Sequence, residues 1–269
     1  FQAEDGIRDR DVTGVQTCAL PIFTAADGID IAYESVGEGA PVVLIHGFGA
    51  NRTITWSNTS WYQTLTRAGR RVIAIDCRGH GESGRPHDPD DYDEGRMAAD
   101  VIAVLTALRV PSADVVGYSM GGYLAIRLMH DAPGRVRRIV LGGVGEKYFH
   151  PTPDKMEIIA QGFLTADPAA ITDPTAREFR TFCERAGNDL VAMAACIRRS
   201  RRIFVRDELL AAVQSVLVVA GDGDDVSGHP GPLAESFAEG RALVVPKRNH
   251  HSTVGDRAFK DAVVDFLAH

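Results

Sequence analysis

Gly117-Tyr118-Ser119-Met120-Gly121 joins a short β-branched run, Ala113 to Tyr118, to a helical pattern, Met120 to Asp131, and no other stretch constrains the chain as tightly. A serine at such a junction sits on a sharp bend with its hydroxyl pushed out of the sheet edge. Gly117 and Gly121 must be small, because a side chain there would collide with neighbouring backbone. The helix that follows points its free N–H groups and positive dipole end at any negative charge that develops nearby. Ser119 is therefore a candidate nucleophile, and the chain must be searched for its partners.

The surrounding pattern alternates strands and helices. Ile29 to Glu34 alternates as an edge strand, Pro41 to His46 and Arg71 to Asp76 read as buried strands, and Val136 to Leu141 is another. Helices are expected over Ser60 to Ala68 and Asp93 to Leu108. Such alternation, with near-continuous apolar strands, indicates a parallel sheet covered on both faces. Its active site lies beyond the C-terminal strand ends, where His46, Asp76 and Ser119 all fall. From Gly145 to about Gln214 helical patterns take over, broken by Pro151, Pro153, Pro168 and Pro174. Strands resume at Ser215 to Ala220 and Arg241 to Val245, and a helix from about Arg257 to Leu267 closes the chain.

A neutral serine is a poor nucleophile and needs a histidine base, which in turn needs an acid to fix its tautomer. Ser215 to Ala220 runs into Gly221-Asp222-Gly223-Asp224-Asp225, and the next strand runs into Pro246-Lys247-Arg248-Asn249-His250-His251. An acid and then a base thus follow Ser119 at the correct sheet edge, with Asp222, Asp224 and Asp225 open as the acid and His250 and His251 as the base.

From about Phe23 onward the chain resembles the α/β-hydrolase family, in a small-cap, serine esterase-like branch. The residues that carry the resemblance are His46-Gly47-Phe48-Gly49, the Asp76 to Ser83 turn, the Gly117 to Gly121 elbow, Gly221-Asp222-Gly223-Asp224, and His250 before a final helix. It implies a doubly wound, mostly parallel sheet with helices on both faces, formed by residues 23–144 and 215–269, with 145–214 as a helical cap insertion. It also implies Ser119 as nucleophile, His250 as base, and Asp224 as acid, three residues after the glycine that ends its strand. The Ser-Thr-Val-Gly-Asp-Arg-Ala-Phe run favours His250 over His251. Backbone N–H groups of Phe48 and Met120 become the oxyanion donors, and Glu146 a backup acid. A serine at the elbow excludes the dehalogenase and epoxide hydrolase branches. What remains is hydrolysis of carboxylic esters of small to medium acyl chain. A lactonase or carbon–carbon bond hydrolase with the same triad, or a perhydrolase side activity, is the alternative.

Other residues read more plainly. His46 is expected to fix the Phe48 loop, His80 to be a loop residue, and Asp76 to hold its turn through nearby backbone. Cys77 has nothing near it in sequence that would lower its pKa. Among the aromatic residues, Trp56 and Tyr118 are expected beside the substrate pocket, and Trp61, Phe163, Phe179, Phe182 and Met193 chiefly in the core. The run after the first buried strand half-matches a dinucleotide fingerprint, but Arg52 stands where the third glycine belongs. The acidic turn Asp222 to Asp225 lacks the ligand series of a calcium loop. No cofactor and no metal are expected.

The 269 residues, 45% of them hydrophobic, suffice for one large domain with an insertion. A net charge of −7 argues against nucleic acid or an anionic membrane as partner; the resemblance implies a small-molecule ester as substrate, and a monomer or homodimer is expected. The arginines at 198, 199, 201, 202 and 206 lie in a helical pattern and read as a solvated face or a local charge network. Cysteines at 18, 77, 183 and 196 show no zinc-ligand spacing, so free thiols and a cytoplasmic setting are expected. No apolar run approaches the roughly 18 residues of a membrane span. Residues 1–22 resemble a translated sequencing adapter joined to a reading frame, and are expected to be a non-native extension.

Overall fold

The structure is a computed structural model and describes residues 21–268. Eight strands form one sheet: β1 (Ile22–Thr24), β2 (Asp30–Val36), β3 (Ala40–Ile45), β4 (Arg70–Ile75), β5 (Ala113–Tyr118), β6 (Val136–Gly142), β7 (Ser215–Gly221) and β8 (Gly240–Val245). Their spatial order is β1-β2-β4-β3-β5-β6-β7-β8. Only β2 runs against its neighbours.

The pleat sorts the side chains of each central strand into two cores. Val43, Ile45, Ile73, Ile75 and Val115 face one way, toward α2 (Glu94–Ala107) and α3 (Met120–Asp131). Val42, Leu44, Val72, Ala74 and Val116 face the other way, toward α1 (Trp61–Arg67) and α10 (Arg257–Ala268), where Trp61, Leu65, Phe259 and Val263 fill the layer. Alternation of side chains on a strand buried on both faces explains why these strands read as unbroken apolar runs.

Between β6 and β7 lie α4 (Pro153–Leu164), α5 (Pro174–Arg185), α6 (Leu190–Ile197) and α7 (Arg206–Leu210). Asp173 and Asp189 accept first-turn N–H groups at the starts of α5 and α6, and Pro153 and Pro174 occupy first helical positions, where a missing N–H is harmless. The helices α4, α5 and α6 share a small core of their own, built on Ile159, Phe163, Cys183, Met193 and Ile197, and Phe48 of the main body packs against it. Two short helices, α8 (Gly231–Ala234) and α9 (His250–Thr253), flank β8.

Two expectations change. The β2 strand is not at the sheet edge, because β1 pairs with it from Ile22↔Ala32 to Thr24↔Asp30. The arginine-rich stretch is not helical from 198 to 205, and of its two readings it follows the local charge network, with Arg202 and Arg206 still exposed. Arg199 is 4% exposed and its Nε lies 3.8 Å from Glu94, Arg198 pairs with Glu157, and Arg202 with Glu208. Of the stretch read as a non-native extension, residues 1–20 lie outside the described residues, while Ile22 opens β1. Among the described residues no helix is long and apolar enough to cross a membrane.

Candidate active site

Ser119 caps α3 with φ 52° and ψ −115°, a conformation that L-residues avoid. Close approach of backbone on both sides enforces it. A Cβ on Gly117 would lie 2.1 Å from the Gly121 carbonyl oxygen, and one on Gly121 would lie 2.0 Å from that of Ile45. The Ser119 N–H donates to the Gly142 carbonyl at 2.7 Å, tying the bend to β6.

The structure brings Ser119, His250 and Asp224 into one chain of contacts. His250 Nε2 is 3.0 Å from Ser119 Oγ, and its Nδ1 is 2.9 and 3.1 Å from the two Asp224 oxygens. An ionised carboxylate accepts only, so the proton sits on Nδ1 and Nε2 is left free to accept from the serine hydroxyl. Asp224 Oδ1 also accepts from the N–H groups of Val226 and Ser227, at 3.0 and 2.9 Å. Burial pushes the Asp224 pKa up, but the His250 hydrogen bond and charge, with the Ser227 contacts, outweigh it and hold the carboxyl below its ordinary value. Glu146, the backup acid, begins a 3₁₀ turn beside Gly228 with its N–H donating to the His229 carbonyl, whereas the His250 ring bonds Asp224. Asp222 is exposed and accepts from the Arg248 N–H, and His251 is exposed, with a ring nitrogen 4.0 Å from Glu178.

Phe48 lies on the loop after β3, and Gly47 of that loop approaches the serine, since a Cβ there would be 3.5 Å from Ser119 Cβ. Met120 opens α3, so its N–H is among the first-turn donors that a helix leaves without an internal acceptor. The Phe48 ring faces His80, Phe163 and Phe179, with centroids at 5.6, 5.9 and 5.9 Å. Phe182 reaches the His251 ring at 6.3 Å.

His46 spans the loops after β3 and β4, with Nδ1 on the Gly47 carbonyl at 2.8 Å and Nε2 accepting from the Cys77 N–H at 2.9 Å. Burial lowers its pKa, so it stays neutral, and both ring nitrogens are occupied. His80 is fully buried and likewise depressed by burial. The Cys77 thiol is pushed well up by burial. Asp76 accepts from the Arg52 and Glu82 N–H groups, at 2.8 and 3.0 Å.

Trp56 is not beside open space: it is fully buried, edge-on to Trp61 at 5.5 Å, in the core between the sheet and α1. Tyr118 lies against the His250 segment. Its hydroxyl donates to the His250 carbonyl and its ring lies 5.6 Å from the imidazole. Trp61 braces the same segment, its indole N–H donating to the Val254 carbonyl at 2.7 Å. Sequence reasoning missed both contacts, and Arg52 as well. Among the described residues no three or more His, Cys, Asp or Glu side chains are grouped to hold a metal.

Residues 40–194 match a family described as alpha/beta hydrolase fold. The chain is 36% identical over 158 residues to a putative non-heme chloroperoxidase from Synechocystis sp., covering 57% of this chain and 54% of that protein. It is 40% identical over 124 residues to a 2-hydroxy-6-oxo-2,4-heptadienoate hydrolase from Pseudomonas putida, covering 46% and 44%. The matched part thus spans about half the length of these curated relatives. A solved structure of a hydrolase from Pseudomonas aeruginosa PA01 superposes with TM-score 0.79 at 26% identity, covering 94% of this chain and all of that one.

Proposed function

The chain belongs to the α/β-hydrolase fold family, and we propose that it is a serine hydrolase cleaving carboxylic esters of small to medium acyl chain. One observation carries the reading: His250 stands between Ser119 Oγ at 3.0 Å and the Asp224 carboxylate at 2.9 Å. In this reading Ser119 Oγ attacks the ester carbonyl as His250 Nε2 takes its proton, and Asp224 stabilises the imidazolium. The Phe48 and Met120 N–H groups receive the oxyanion, a contribution worth about 3 kcal/mol per donor. The tetrahedral intermediate collapses, the alcohol leaves with the proton held on His250, and the acyl group stays on Ser119. Water then attacks the acyl carbon while His250 takes its proton, and the acid is released. The helices between β6 and β7 act as a cap in this scheme, with Phe48, Phe163 and Phe179 as an apolar wall for the substrate.

A second reading, cleavage of a carbon–carbon bond by the same three residues, is favoured by the similarity to the 2-hydroxy-6-oxo-2,4-heptadienoate hydrolase. The p-nitrophenyl esters from acetate to octanoate separate the two readings, assayed with wild type beside Ser119→Ala. Ester turnover that falls by roughly 10⁶ in the variant supports the ester reading. A folded wild type without ester turnover, but active on a vinylogous diketone, sinks it in favour of the second.

A further inference from the structure

The loop that carries Phe48 is fastened to the turn after β4 at both of its ends. His46 accepts from the Cys77 N–H at 2.9 Å at one end. At the other end Arg52 presents its N–H to Asp76 Oδ1 at 2.8 Å and its guanidinium to Asp76 Oδ2, and it reaches Glu82 at 3.1 Å. The Glu82 N–H closes the ring by donating to Asp76 at 3.0 Å. Arg52 is 5% exposed and Asp76 is fully buried, so this is an ion pair inside the protein, two residues of chain from the Ala50–Gly47 turn that shapes the loop. Interior pairs of this kind contribute little net stability, because desolvation offsets the attraction, and their better-attested use is to fix geometry.

We propose that Arg52 is a positioning residue for catalysis: its clamp on Asp76 and Glu82 sets where the Phe48 N–H points, and so how well the oxyanion is received. The proposal rests on the serine hydrolase reading. It gives the arginine a role in the transition state, where a donor misplaced by a fraction of an ångström loses its value, and none in holding the ground-state ester. Glu34, whose carboxylate is 3.8 Å from Arg52 Nε, adds a third negative group around one guanidinium. The cluster is therefore arranged around the arginine, and removing it leaves Asp76 buried and unpaired.

Arg52→Met alone is expected to lose stability for that reason, so the informative variants are the double Arg52→Met/Asp76→Asn, which removes both buried charges, and Arg52→Lys. Each is compared with wild type for kcat and KM on p-nitrophenyl butyrate, for thermal unfolding, and for affinity toward two probes. One is an alkyl trifluoromethyl ketone, which adds to Ser119 as a hemiketal oxyanion. The other is butyrate, which needs no oxyanion. The expected result is a folded double variant with KM and butyrate affinity near wild type, and with kcat and ketone affinity both lower by roughly tenfold or more, a fraction of the 10²–10³ that loss of a whole donor costs. Arg52→Lys is expected to recover part of that loss. A folded double variant with wild-type ketone affinity, or one whose ketone and butyrate affinities fall together, overturns the clamp. A wild type that neither turns over esters nor binds the ketone overturns the hydrolase reading itself, and the clamp with it.

Discussion

The elbow that bears Ser119 and the loops that bear its partners are held by different balances of shape and polar contact. Around Ser119 the restraint is shape: Gly117 and Gly121 let backbone approach to distances at which no Cβ fits. Around Phe48, Asp224 and His250 one close approach recurs, a Cβ on Gly221 lying 2.1 Å from the Arg248 carbonyl oxygen, but polar contacts predominate: the Arg52–Asp76–Glu82 ring, the Val226 and Ser227 N–H groups, and the Tyr118 hydroxyl. A restraint of shape is indifferent to pH but tolerates no added atom. A polar restraint accepts compensating changes and responds to protonation.

The largest expected effect on stability comes from adding one methyl group to the elbow. In Gly121→Ala the new Cβ meets the Ile45 carbonyl oxygen at 2.0 Å and its carbon at 2.6 Å, main-chain atoms that cannot rotate away. Overpacking ordinarily costs about 1–3 kcal/mol, and with only backbone to yield the cost here is expected at or above the top of that range. Urea unfolding measures it, with Gly134→Ala as control, since a Cβ there meets nothing within 4 Å. Equal stability of the two variants would break the contrast.

That elbow was also what the sequence displayed best. The strand Ala113–Tyr118 and helix Met120–Asp131 have the bounds the pattern suggested, because both are set by local chemistry: β-branched residues, then glycine, then an amphipathic period. The polar restraints were not legible, because their partners are remote. Arg52 stood out only as the residue that spoils a glycine motif, yet its carboxylates are 24 and 30 residues away. The arginines from 198 to 206 have helical spacing, but the chain is non-helical from 198 to 205, where Arg199 is buried near Glu94 and Arg201 and Arg202 stack on the Tyr123 and Phe204 rings. Trp56 is expected beside the pocket, and its complete burial edge-on to Trp61 is a packing fact that no local pattern displays.

On turnover rather than stability, the larger effect expected is the loss of the Asp224 charge. Asp224→Asn keeps the shape but presents an amide to His250 Nδ1, stabilises the wrong tautomer, and is expected to lower kcat by roughly 10³–10⁴. Retained activity would point to Glu146 as the acid. The same group gives the polar side its pH dependence. Its folded pKa lies below the ordinary 3.8, so the unfolded chain binds the proton more readily. The stabilisation is fully present above about pH 3.8 and is lost as pH falls through the depressed folded value. Acid unfolding followed in both proteins checks the sign: the stability gap between wild type and the Asn variant is expected to narrow below that pH.

The smallest effect expected is also the one that best probes the boundary between the two kinds of restraint. Tyr118 belongs to the elbow by sequence and to the histidine loop by contact, with burial and the nearby Asp224 raising its pKa so that the hydroxyl stays protonated and donating. Tyr118→Phe keeps the ring at 5.6 Å from the imidazole and removes one oxygen. Asp224 still orients His250 through Nδ1, and Trp61 still holds the Val254 carbonyl, so the histidine is loosened rather than lost. The expected outcome is kcat lower by roughly three- to tenfold, or about 0.6–1.4 kcal/mol of barrier, with KM unchanged. The pH profile of kcat separates this from simple destabilisation, since a shifted histidine limb requires a changed His250 environment. A lower melting temperature with kcat and its pH profile intact would make the hydroxyl a brace for the fold alone, and would return Tyr118 to the elbow's steric restraint.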